Sequence, residues 1–369
     1  MRITGVRLRR MRLPLDPPFE PAWDPAPRRA FEATLVYVDT DEGLTGIGSG
    51  DTMDGFERYA ELFLGQDPLE IERHVRVLET VTFHAGRYWP FEAALWDLAG
   101  KAHGVPAARL LGGAAESVPA YASTADRRAA GERADSALAL REQAFGALKL
   151  RIDRRSLAQG LEAVEATREA VGMSMEIMVD LNQGWRMPGD LAPLLDAGTV
   201  DALAARLEEL GVLWLEEPLA GDDVAGLARL RAGRVMRIAG GEMARSPAEL
   251  DAFLGADALD VYQPDAVLAV GLLRARELAE RALAGGLWFT PHTWTNGIGL
   301  LANLHLAAGV GGGPFLELPF DPPGWTPERR DFMLAEPVLP DTDGRLHVPD
   351  RPGLGFELDE EAVARYALT

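Results

Sequence analysis

The sequence predicts an α/β fold: a (β/α)-barrel of the modified TIM type with an α+β capping domain, which the N-terminal region and the C-terminal tail form together. From about residue 118 to 318, eight short apolar runs alternate with amphipathic helical stretches. An antiparallel strand pattern precedes this region, and a tail too short to fold alone follows it. We therefore expect a cap at 1–117, a barrel at 118–335, and a C-terminal segment at 336–369 that returns to the cap.

The cap is predicted from two stretches in the N-terminal region. "FEATLVYVDTDEGLTGIGSG" has the pattern of two antiparallel strands followed by a glycine-rich turn. "FEAALWDLAGKAHGVPAARLLGG" predicts a helix that ends in loops. The "GIGSG" portion resembles a nucleotide-binding loop only weakly, because it lacks the full glycine spacing and a following helix pattern. We interpret it as a turn.

Eight strand candidates define the barrel: "VPAYAS", "GALKLRI", "MEIMVDLN", "VLWLEEP", "MRIAGGE", "LDVYQPD", "LWFTPH" and "PFLELP". Between them, Ser156 in "SLAQ" and Ser246 in "SPAE" indicate helix starts with capping boxes, the second with proline at the first helical position. Apolar residues recur at helical spacing over 272–283. Helix and strand thus alternate as a parallel barrel requires.

Composition limits the possible functions. The 369 residues are 47% hydrophobic and 25% charged, which is ordinary for a globular enzyme, and the absence of cysteine excludes disulfides and a cysteine nucleophile. A net charge of −20 is a poor match to nucleic acid or anionic lipid, so we expect neither partner. Because no secretory signal or membrane span is visible, we predict a cytoplasmic enzyme with a small-molecule substrate.

Polar or charged side chains end the strand candidates after the first, at the end of the barrel where active sites form. A lone Asp or Glu after a strand is more often a helix cap or a solvated loop residue, but caps do not explain seven successive strands. The residues are Lys149, Arg151, Asp180, Asn182, Glu216, Glu217, Glu242, Asp265, His292 and Glu317. We expect them to meet at one end of the barrel.

Three of these carboxylates predict a metal site. Asp180, Glu216 and Glu242 end neighbouring strands, and converging carboxylates repel one another unless a cation joins them. An all-oxygen set without histidine or cysteine suits Mg²⁺. By strand alternation Glu217 points the other way, and we assign it to a structural salt bridge or hydrogen bond.

His292 is the histidine that ends a strand-like run, and Asp265 ends the preceding one. Asp265 is placed to accept a hydrogen bond from His292, which would fix the tautomer and raise the basicity of the imidazole. We predict an Asp-His general base, with a purely structural pair as the alternative. In "ALKLRI", alternation puts Lys149 and Arg151 on one face, directed into the barrel, because a closed barrel has no exposed edge strand.

Taken together, "LKLR", "VDLNQGW", "WLEEPL", "GGE", "QPDA", "PHTW" and "LELP" resemble, in order, the strand motifs of the enolase superfamily, and specifically its mandelate racemase subgroup. "ALWDLAGKAHGVPAARLLGG" resembles the end of that family's capping domain, so the resemblance covers nearly the whole chain. It implies abstraction of a proton from the carbon next to a substrate carboxylate, giving an enediolate held by Mg²⁺. It also implies a homo-oligomer.

The resemblance implies roles residue by residue. Asp180, Glu216 and Glu242 match the family's metal ligands. Asp265 and His292 match its catalytic dyad on one face of the substrate.

The remaining strand-end residues match the family's substrate-facing positions. Glu317 matches a protonated acid that donates a hydrogen bond to the substrate carboxylate, a role that needs a raised pKa. Asn182, Arg151 and Glu317 are assigned to substrate binding, and Lys149 and Arg151 to stabilising the enediolate.

One position departs from the family. The second strand usually carries Lys-x-Lys, whose second lysine is the base opposite the histidine, but here that position is Arg151. Arginine is effectively always protonated and is a poor general base. Two-base racemisation is therefore disfavoured, whereas one histidine suffices for β-elimination.

The leading hypothesis is a Mg²⁺-dependent dehydratase of a sugar acid or a related 2-hydroxy acid. The alternatives are a racemase or epimerase that uses Lys149 or an activated Arg151 as second base, and a non-catalytic metal-binding barrel. Specificity is expected from the cap loops "PPFEPAWDPAPRR" and "GSGDTMDGF", where Phe19 and Trp23 either close over the site or serve as interdomain packing.

Overall fold

The computed structural model describes residues 1–50 and 53–368. Asp51 and Thr52, in the predicted specificity loop "GSGDTMDGF", and Thr369 lie outside the described residues. The N-terminal unit contains strands β1 (Ile3–Phe19), β2 (Arg28–Thr40) and β3 (Thr45–Gly50), a 3₁₀ segment (Phe56–Leu62), and helices α1 (Ile71–His84), α2 (Trp89–His103) and α3 (Ala107–Leu110).

The three N-terminal strands form one antiparallel sheet in the order β1-β2-β3. In β1, Met11, Leu13 and Leu15 are buried while Arg12 and Pro14 between them are exposed, as expected for a strand with one face on a core. The predicted strand pair and the predicted helix α2 are both confirmed.

The glycine-rich "GIGSG" segment forms part of β3, so its interpretation as a turn is wrong. Helix α2 packs directly on this strand: a Cβ added to Gly46 would lie 2.1 Å from the carbonyl oxygen of Ala94, and one added to Gly48 would lie 2.1 Å from that of Pro90. The glycines are therefore needed for close approach of strand and helix.

The second unit alternates strands and helices. Its strands are β4 (Ser117–Ser123), β5 (Ala147–Arg151), β6 (Glu176–Asp180), β7 (Trp214–Glu216), β8 (Arg237–Gly240), β9 (Val261–Tyr262), β10 (Trp288–Phe289) and β11 (Leu316–Pro319). Its helices are α4 (Ala130–Glu142), α5 (Leu157–Val171), α6 (Ala197–Glu209), α7 (Val224–Ala232), α8 (Pro247–Gly255), α9 (Gly271–Ala284), α10 (Gly297–Val310) and α11 (Pro327–Arg330), with a 3₁₀ turn (Arg154–Ser156) before α5.

These eight strands are parallel and pair in the order β10-β9-β8-β7-β6-β5-β4-β11, which confirms the predicted set. Between β10 and β11, the Gly313 N–H donates to the Phe289 carbonyl at 2.5 Å and the Thr290 hydroxyl donates to the Phe315 carbonyl at 2.6 Å. The sheet therefore curls into a barrel whose strands all end on the same side.

Helices α5 and α8 begin where the sequence predicted, with Ser156 and Ser246 at their N-caps and Pro247 at the first position of α8. Neither serine side chain makes the capping hydrogen bond, so that part of the prediction is wrong. At α8 the Glu249 carboxylate instead accepts from the Arg245 N–H at 3.0 Å, one residue earlier than a capping box requires.

The C-terminal tail contains β12 (Arg345–His347) and α12 (Glu360–Tyr366). It contacts both units: β12 pairs antiparallel with β4, and Ala367 forms a bridge with Met11 of β1. The Leu354 N–H also donates to Asp97 of α2 at 2.8 Å. The boundaries drawn at 1–117, 118–335 and 336–369 stay a prediction.

In the part of the chain that the structure describes, every helix falls short of the length and apolarity needed to cross a bilayer.

Candidate active site

The interior of the barrel has two layers that follow from strand alternation. Toward the N-terminal ends of the strands, an apolar cluster contains Tyr121, Ala147, Met178, Trp214, Ala239 and Val261. Two residues later on β5, β6 and β7 come Lys149, Asp180 and Glu216, each completely buried. A charged layer therefore lies directly above an apolar floor, where charges interact strongly.

Asp180, Glu216 and Glu242 converge as the sequence predicted. One carboxylate oxygen from each lies within 4.8 Å of the other two, and all three residues are buried. Glu242 Oε2 is buried and has no hydrogen-bond partner among the described residues. Three oxygen donors, one of them unpartnered, fit a hard divalent cation, because uncompensated buried carboxylates are costly.

Lys149 lies among these carboxylates. Its ammonium group bonds Glu216 Oε1, lies 2.9 Å from Glu317 Oε1, and lies 3.6 Å from Asp180 Oδ2. Burial by itself lowers the pKa of Lys149, but Glu216 and Glu317 outweigh burial and raise it. Lys149 is therefore a fixed cation in this arrangement.

Arg151 lies beside Lys149 with its donors directed at several partners. Nη1 bonds Asp180 Oδ2 and donates to Asn182 Oδ1 at 2.8 Å, and Nε donates to the Thr124 carbonyl at 3.1 Å. Nη2 lies 3.8 Å from Glu317 Oε1. Burial lowers the pKa of Arg151, but the carboxylates, led by Asp180, raise it above its ordinary value.

Asn182 follows β6 with a positive φ of 44°, a conformation that asparagine tolerates better than most residues. Its backbone N–H donates to Asp180 Oδ1 at 2.7 Å and its Nδ2 donates to Asp180 Oδ2 at 3.1 Å. The predicted substrate-binding residue thus also fixes the orientation of Asp180.

Asp265 and His292 form the predicted pair, with Nδ1 of His292 3.0 Å from Asp265 Oδ2. Because a carboxylate only accepts, Nδ1 carries the proton and Nε2 is left as the basic nitrogen of the neutral ring. Nε2 lies 3.8 Å from Glu242 Oε2. Burial by itself lowers the pKa of His292, but Glu242, Glu317 and Asp265 raise it to about 9.

Glu317 differs from the role that the resemblance implied. Its Oε1 accepts from the Ser123 hydroxyl at 2.7 Å and its Oε2 accepts from the Thr293 N–H at 2.8 Å. Burial raises its pKa, but Lys149, His292 and Arg151 outweigh burial and hold the pKa below its ordinary value. The pKa of Glu317 is thus shifted in the direction opposite to the one that the resemblance implied, because Lys149, Arg151 and His292 lie around the carboxylate, and its assigned role stays a prediction.

Glu217 has no cationic partner among the described residues, so its predicted salt bridge is wrong. Its Oε2 is buried without a hydrogen bond, and its backbone has a positive φ of 46°. Burial, followed by the charge of Glu242, raises its pKa well above the ordinary value. The ionised form of the second carboxylate of "WLEEPL" is therefore disfavoured by its surroundings.

An aromatic group drawn from both units packs against Arg151. The Arg151 guanidinium lies 4.3 Å from the ring centroid of Trp23 in the cap and 5.3 Å from that of Trp294 after β10. Phe19 packs on both rings, with centroids 6.1 Å from Trp23 and 6.0 Å from Trp294. These contacts join the two units beside Arg151, and both alternatives for Phe19 and Trp23, closure over the site and interdomain packing, stay predictions.

Sequence reasoning missed the neutral residues that orient the charged ones. Trp214 and Gln263 donate to Glu216, Trp185 donates to Glu242, and Asn303 donates to Asp265. Two of them had a signal: Trp214 is two residues before Glu216 on one strand, and Gln263 is two residues before Asp265. For Trp185 and Asn303 no local signal existed.

Comparison with known families gives two matches. The profile described as "Enolase C-terminal domain-like" matches residues 132–362. The profile described as "Mandelate racemase / muconate lactonizing enzyme, N-terminal domain" matches residues 4–112. The two matches together span most of the cap and the barrel.

Three relatives illustrate the range of activities. The D-galactarolactone cycloisomerase of Agrobacterium fabrum is 30% identical, over 100% of this chain and 99% of the relative. The L-talarate/galactarate dehydratase of Salmonella typhimurium is 29% identical, over 82% of this chain and 72% of the relative. A crystal structure of a racemase from Streptomyces coelicolor with bound magnesium has a TM-score of 0.84 and 27% identity, covering 99% of this chain and 100% of that one.

Proposed function

We propose a function from the premise that this chain belongs to the enolase superfamily, in its mandelate racemase and muconate lactonizing enzyme family. The chain is an enzyme that removes the proton next to the carboxylate of a small acid, and the reaction that we favour is dehydration of a sugar acid. One observation carries this proposal. The site contains one basic histidine, His292, and the position that would have to supply a second base is occupied by Arg151, which stays protonated.

His292 is the proposed general base. Asp265 is itself held by the N–H groups of Val267 at 2.8 Å and Leu268 at 3.2 Å, and by Asn303 Nδ2 at 3.1 Å. The imidazole orientation is therefore fixed before substrate arrives, which favours proton abstraction by Nε2. Since Glu242 contributes most to the raised pKa, pairing of Glu242 with a cation lowers the pKa of His292 toward a value suited to a base.

β-Elimination needs only this one base. Nε2 of His292 takes the α-proton, and the resulting imidazolium returns a proton to the departing β-hydroxyl, which leaves as water. The C–H and C–O bonds break, a C=C bond forms, and the enol product tautomerises to a 2-keto-3-deoxy acid. Lys149 and Arg151 stabilise the negative charge that develops on the substrate carboxylate.

Mg²⁺ is the proposed cofactor, held by Asp180, Glu216 and Glu242. When bound it supplies Lewis-acid stabilisation of the charge that develops on the substrate carboxylate. Asn182 fixes Asp180, and Glu317 keeps Lys149 and Arg151 in place beside the substrate. The substrate is a small carboxylate, while the predicted homo-oligomer and cytoplasmic location stay predictions.

A second candidate is supported by the full-length similarity to a cycloisomerase. The same α-proton abstraction then expels a ring oxygen instead of a hydroxyl, so one lactone ring opens and no water is lost. A racemase or epimerase is less favoured, because its second base would have to be Lys149, whose pKa is raised, or Arg151.

The deciding experiment is incubation of the protein with Mg²⁺, in D₂O, with a panel of acid sugars and their lactones. Formation of 2-keto-3-deoxy acids from open-chain acids supports the dehydratase, and ring opening of a lactone without water loss supports the cycloisomerase. Exchange or inversion at the α-carbon without elimination contradicts both and supports the racemase. Absence of any turnover and any exchange, with His292→Asn indistinguishable from the wild type, supports the non-catalytic barrel.

A further inference from the structure

We propose that Trp185 and Trp214 are positioning residues: Trp185 holds one oxygen of Glu242, Trp214 holds one oxygen of Glu216, and the other oxygen of each carboxylate faces the cation site. By limiting each carboxylate to one oxygen, they make the site select Mg²⁺ over Ca²⁺. This role rests on the proposed function in one respect, that Glu216 and Glu242 bind a divalent cation. The groups that it concerns are the indole N–H donors to these two carboxylates.

At Glu216, one oxygen is fully occupied by neutral donors. Oε2 accepts from Trp214 Nε1 at 3.0 Å and from Gln263 Nε2 at 2.9 Å, which uses both of its lone-pair directions. Oε1 faces the interior of the charged layer, where it bonds Lys149. Oε2 is therefore closed to a cation, and Oε1 is the oxygen that faces the cationic groups of the site.

At Glu242, the same division occurs with a different tryptophan. Oε1 accepts from Trp185 Nε1 at 2.6 Å, whereas Oε2 is buried with no hydrogen-bond partner among the described residues. Oε2 is also the oxygen that lies 3.8 Å from His292 Nε2. The unpartnered oxygen therefore points toward the site and the partnered one away from it.

The two donors suit this task because an indole N–H donates one hydrogen bond and carries no charge. Each ties a carboxylate oxygen without placing a further positive charge beside it, so the donor itself does not reduce the attraction for a cation. A lysine or arginine in either place would fix the oxygen but would also cancel the charge.

Restricting each carboxylate to one oxygen discriminates between ions. Ca²⁺ takes six to eight oxygens and often uses both oxygens of a carboxylate, whereas Mg²⁺ requires a compact octahedron and keeps positions for water or substrate. Breaking an indole hydrogen bond is the cost of bidentate binding at Glu216 or Glu242. The cost applies to Ca²⁺ and is absent for Mg²⁺.

The placement of Trp185 couples two strands of the site. It follows β6, which carries Asp180, yet it bonds the carboxylate that follows β8. Its segment is fixed by Gln183, whose Nε2 donates to the Pro218 carbonyl at 2.5 Å and whose Oε1 accepts from the Leu195 N–H at 2.7 Å. The indole is therefore held by the fold and needs no bound ion to be oriented.

The test is calorimetric titration of the full-length protein with MgCl₂ and with CaCl₂. For Trp185→Phe we expect Mg²⁺ affinity to fall on the order of tenfold, as is usual when an outer partner of a metal ligand is removed, while Ca²⁺ affinity falls less. The Mg²⁺ to Ca²⁺ affinity ratio therefore decreases. Trp185→His, which keeps an N–H donor, restores most of the ratio.

Trp288→Phe is the matched control, because the Arg237 guanidinium lies 3.7 Å from the centroid of the Trp288 ring and no carboxylate bond is lost. For this variant we expect the Mg²⁺ to Ca²⁺ affinity ratio to stay at the wild-type value. A folded Trp185→Phe protein, checked by circular dichroism, that keeps the wild-type ratio overturns the inference. If the Trp185 variants do not fold, Gln263→Met removes one donor from Glu216, and an unchanged ratio there overturns it equally. A wild-type protein that binds no Mg²⁺ contradicts the proposed function itself, so the two failures are distinguishable.

Discussion

Two buried histidines lie in regions of opposite character, and their pKa values move in opposite directions. His292 lies in the charged layer at the C-terminal ends of the barrel strands, where Glu242, Glu317 and Asp265 overcome the effect of burial and raise its pKa to about 9. His305, in α10, lies where the barrel meets the cap and the tail, and burial there lowers its pKa to about 4. The two residues are almost equally buried, since 2% of His292 and 0% of His305 is exposed.

The neighbours explain the difference. Nδ1 of His305 accepts from the Ala108 N–H at 3.0 Å, so the neutral ring carries its proton on Nε2, which donates to the Leu354 carbonyl at 3.1 Å. These backbone groups bind a neutral imidazole and offer no counter-charge. The comparison teaches that the pKa of a buried histidine rises where carboxylates face it and falls where only backbone groups do. The two regions therefore differ in what a mutation or a pH change does to them.

The largest expected effect comes from making the same substitution in both regions. His292→Asn removes the proposed base, and we expect turnover of whichever acid the wild type converts to fall by roughly 10²–10⁴-fold. His305→Asn should leave turnover within a few-fold and lower the midpoint of thermal unfolding. Steady-state kinetics and calorimetry measure both, and a His292→Asn enzyme of normal rate contradicts the assigned role.

The next largest effect concerns the cation within the charged layer. Lys149→Met leaves Glu216 and Glu317 without their ammonium partner, so the free energy of unfolding of the metal-free protein should fall by about 3–5 kcal/mol. Urea denaturation in EDTA measures it. Addition of Mg²⁺ should recover part of the loss, because a cation again compensates Glu216. A loss under about 1 kcal/mol is incompatible with tight coupling of these charges.

The junction region predicts a dependence of stability on pH. Unfolding returns the pKa of His305 from about 4 to its ordinary 6.5, so the unfolded state binds the proton first as pH falls. Stability should decrease progressively between pH 6.5 and pH 4, by about 3 kcal/mol at pH 4. Denaturation curves across this range measure the total effect, and subtraction of the His305→Asn curves isolates this residue. Parallel curves for the two proteins contradict the prediction.

The smallest expected effect concerns an ion pair on the surface, which is compared with the buried ion pairs of Lys149. Arg276 lies 2.9 Å from Glu280 on the surface of α9, and both side chains are partly exposed. Arg276→Ala should change the free energy of unfolding by about 0.5 kcal/mol or less, because solvent already stabilises both ions. Urea denaturation of this variant and of Lys149→Met under the same conditions measures the two effects. Similar losses in the free energy of unfolding for both variants would show that burial does not decide the strength of an ion pair.

Much of the fold followed from the sequence because periodicity is a local property. The eight barrel strands, the antiparallel cap strands and α2 each had a pattern within a few residues. The glycine segment of β3 was mistaken for a turn because its cause, the backbone of α2 at Gly46 and Gly48, lies more than forty residues away in the sequence. Sequence distance, and not the strength of the pattern, limited the fold prediction.

For the site, the sequence by itself determined which residues meet: a strand places every second side chain inside the barrel, and parallel strands end on one side, so Lys149, Asp180 and Glu216 had to converge. Only the tertiary structure decided their chemical states. It left Glu317 ionised, Glu217 unpaired, and Glu242 with one oxygen bonded to Trp185 and one free. The physical reason is that periodicity fixes the direction of a side chain, whereas pKa values and hydrogen bonds depend on groups that only folding brings within a few ångströms.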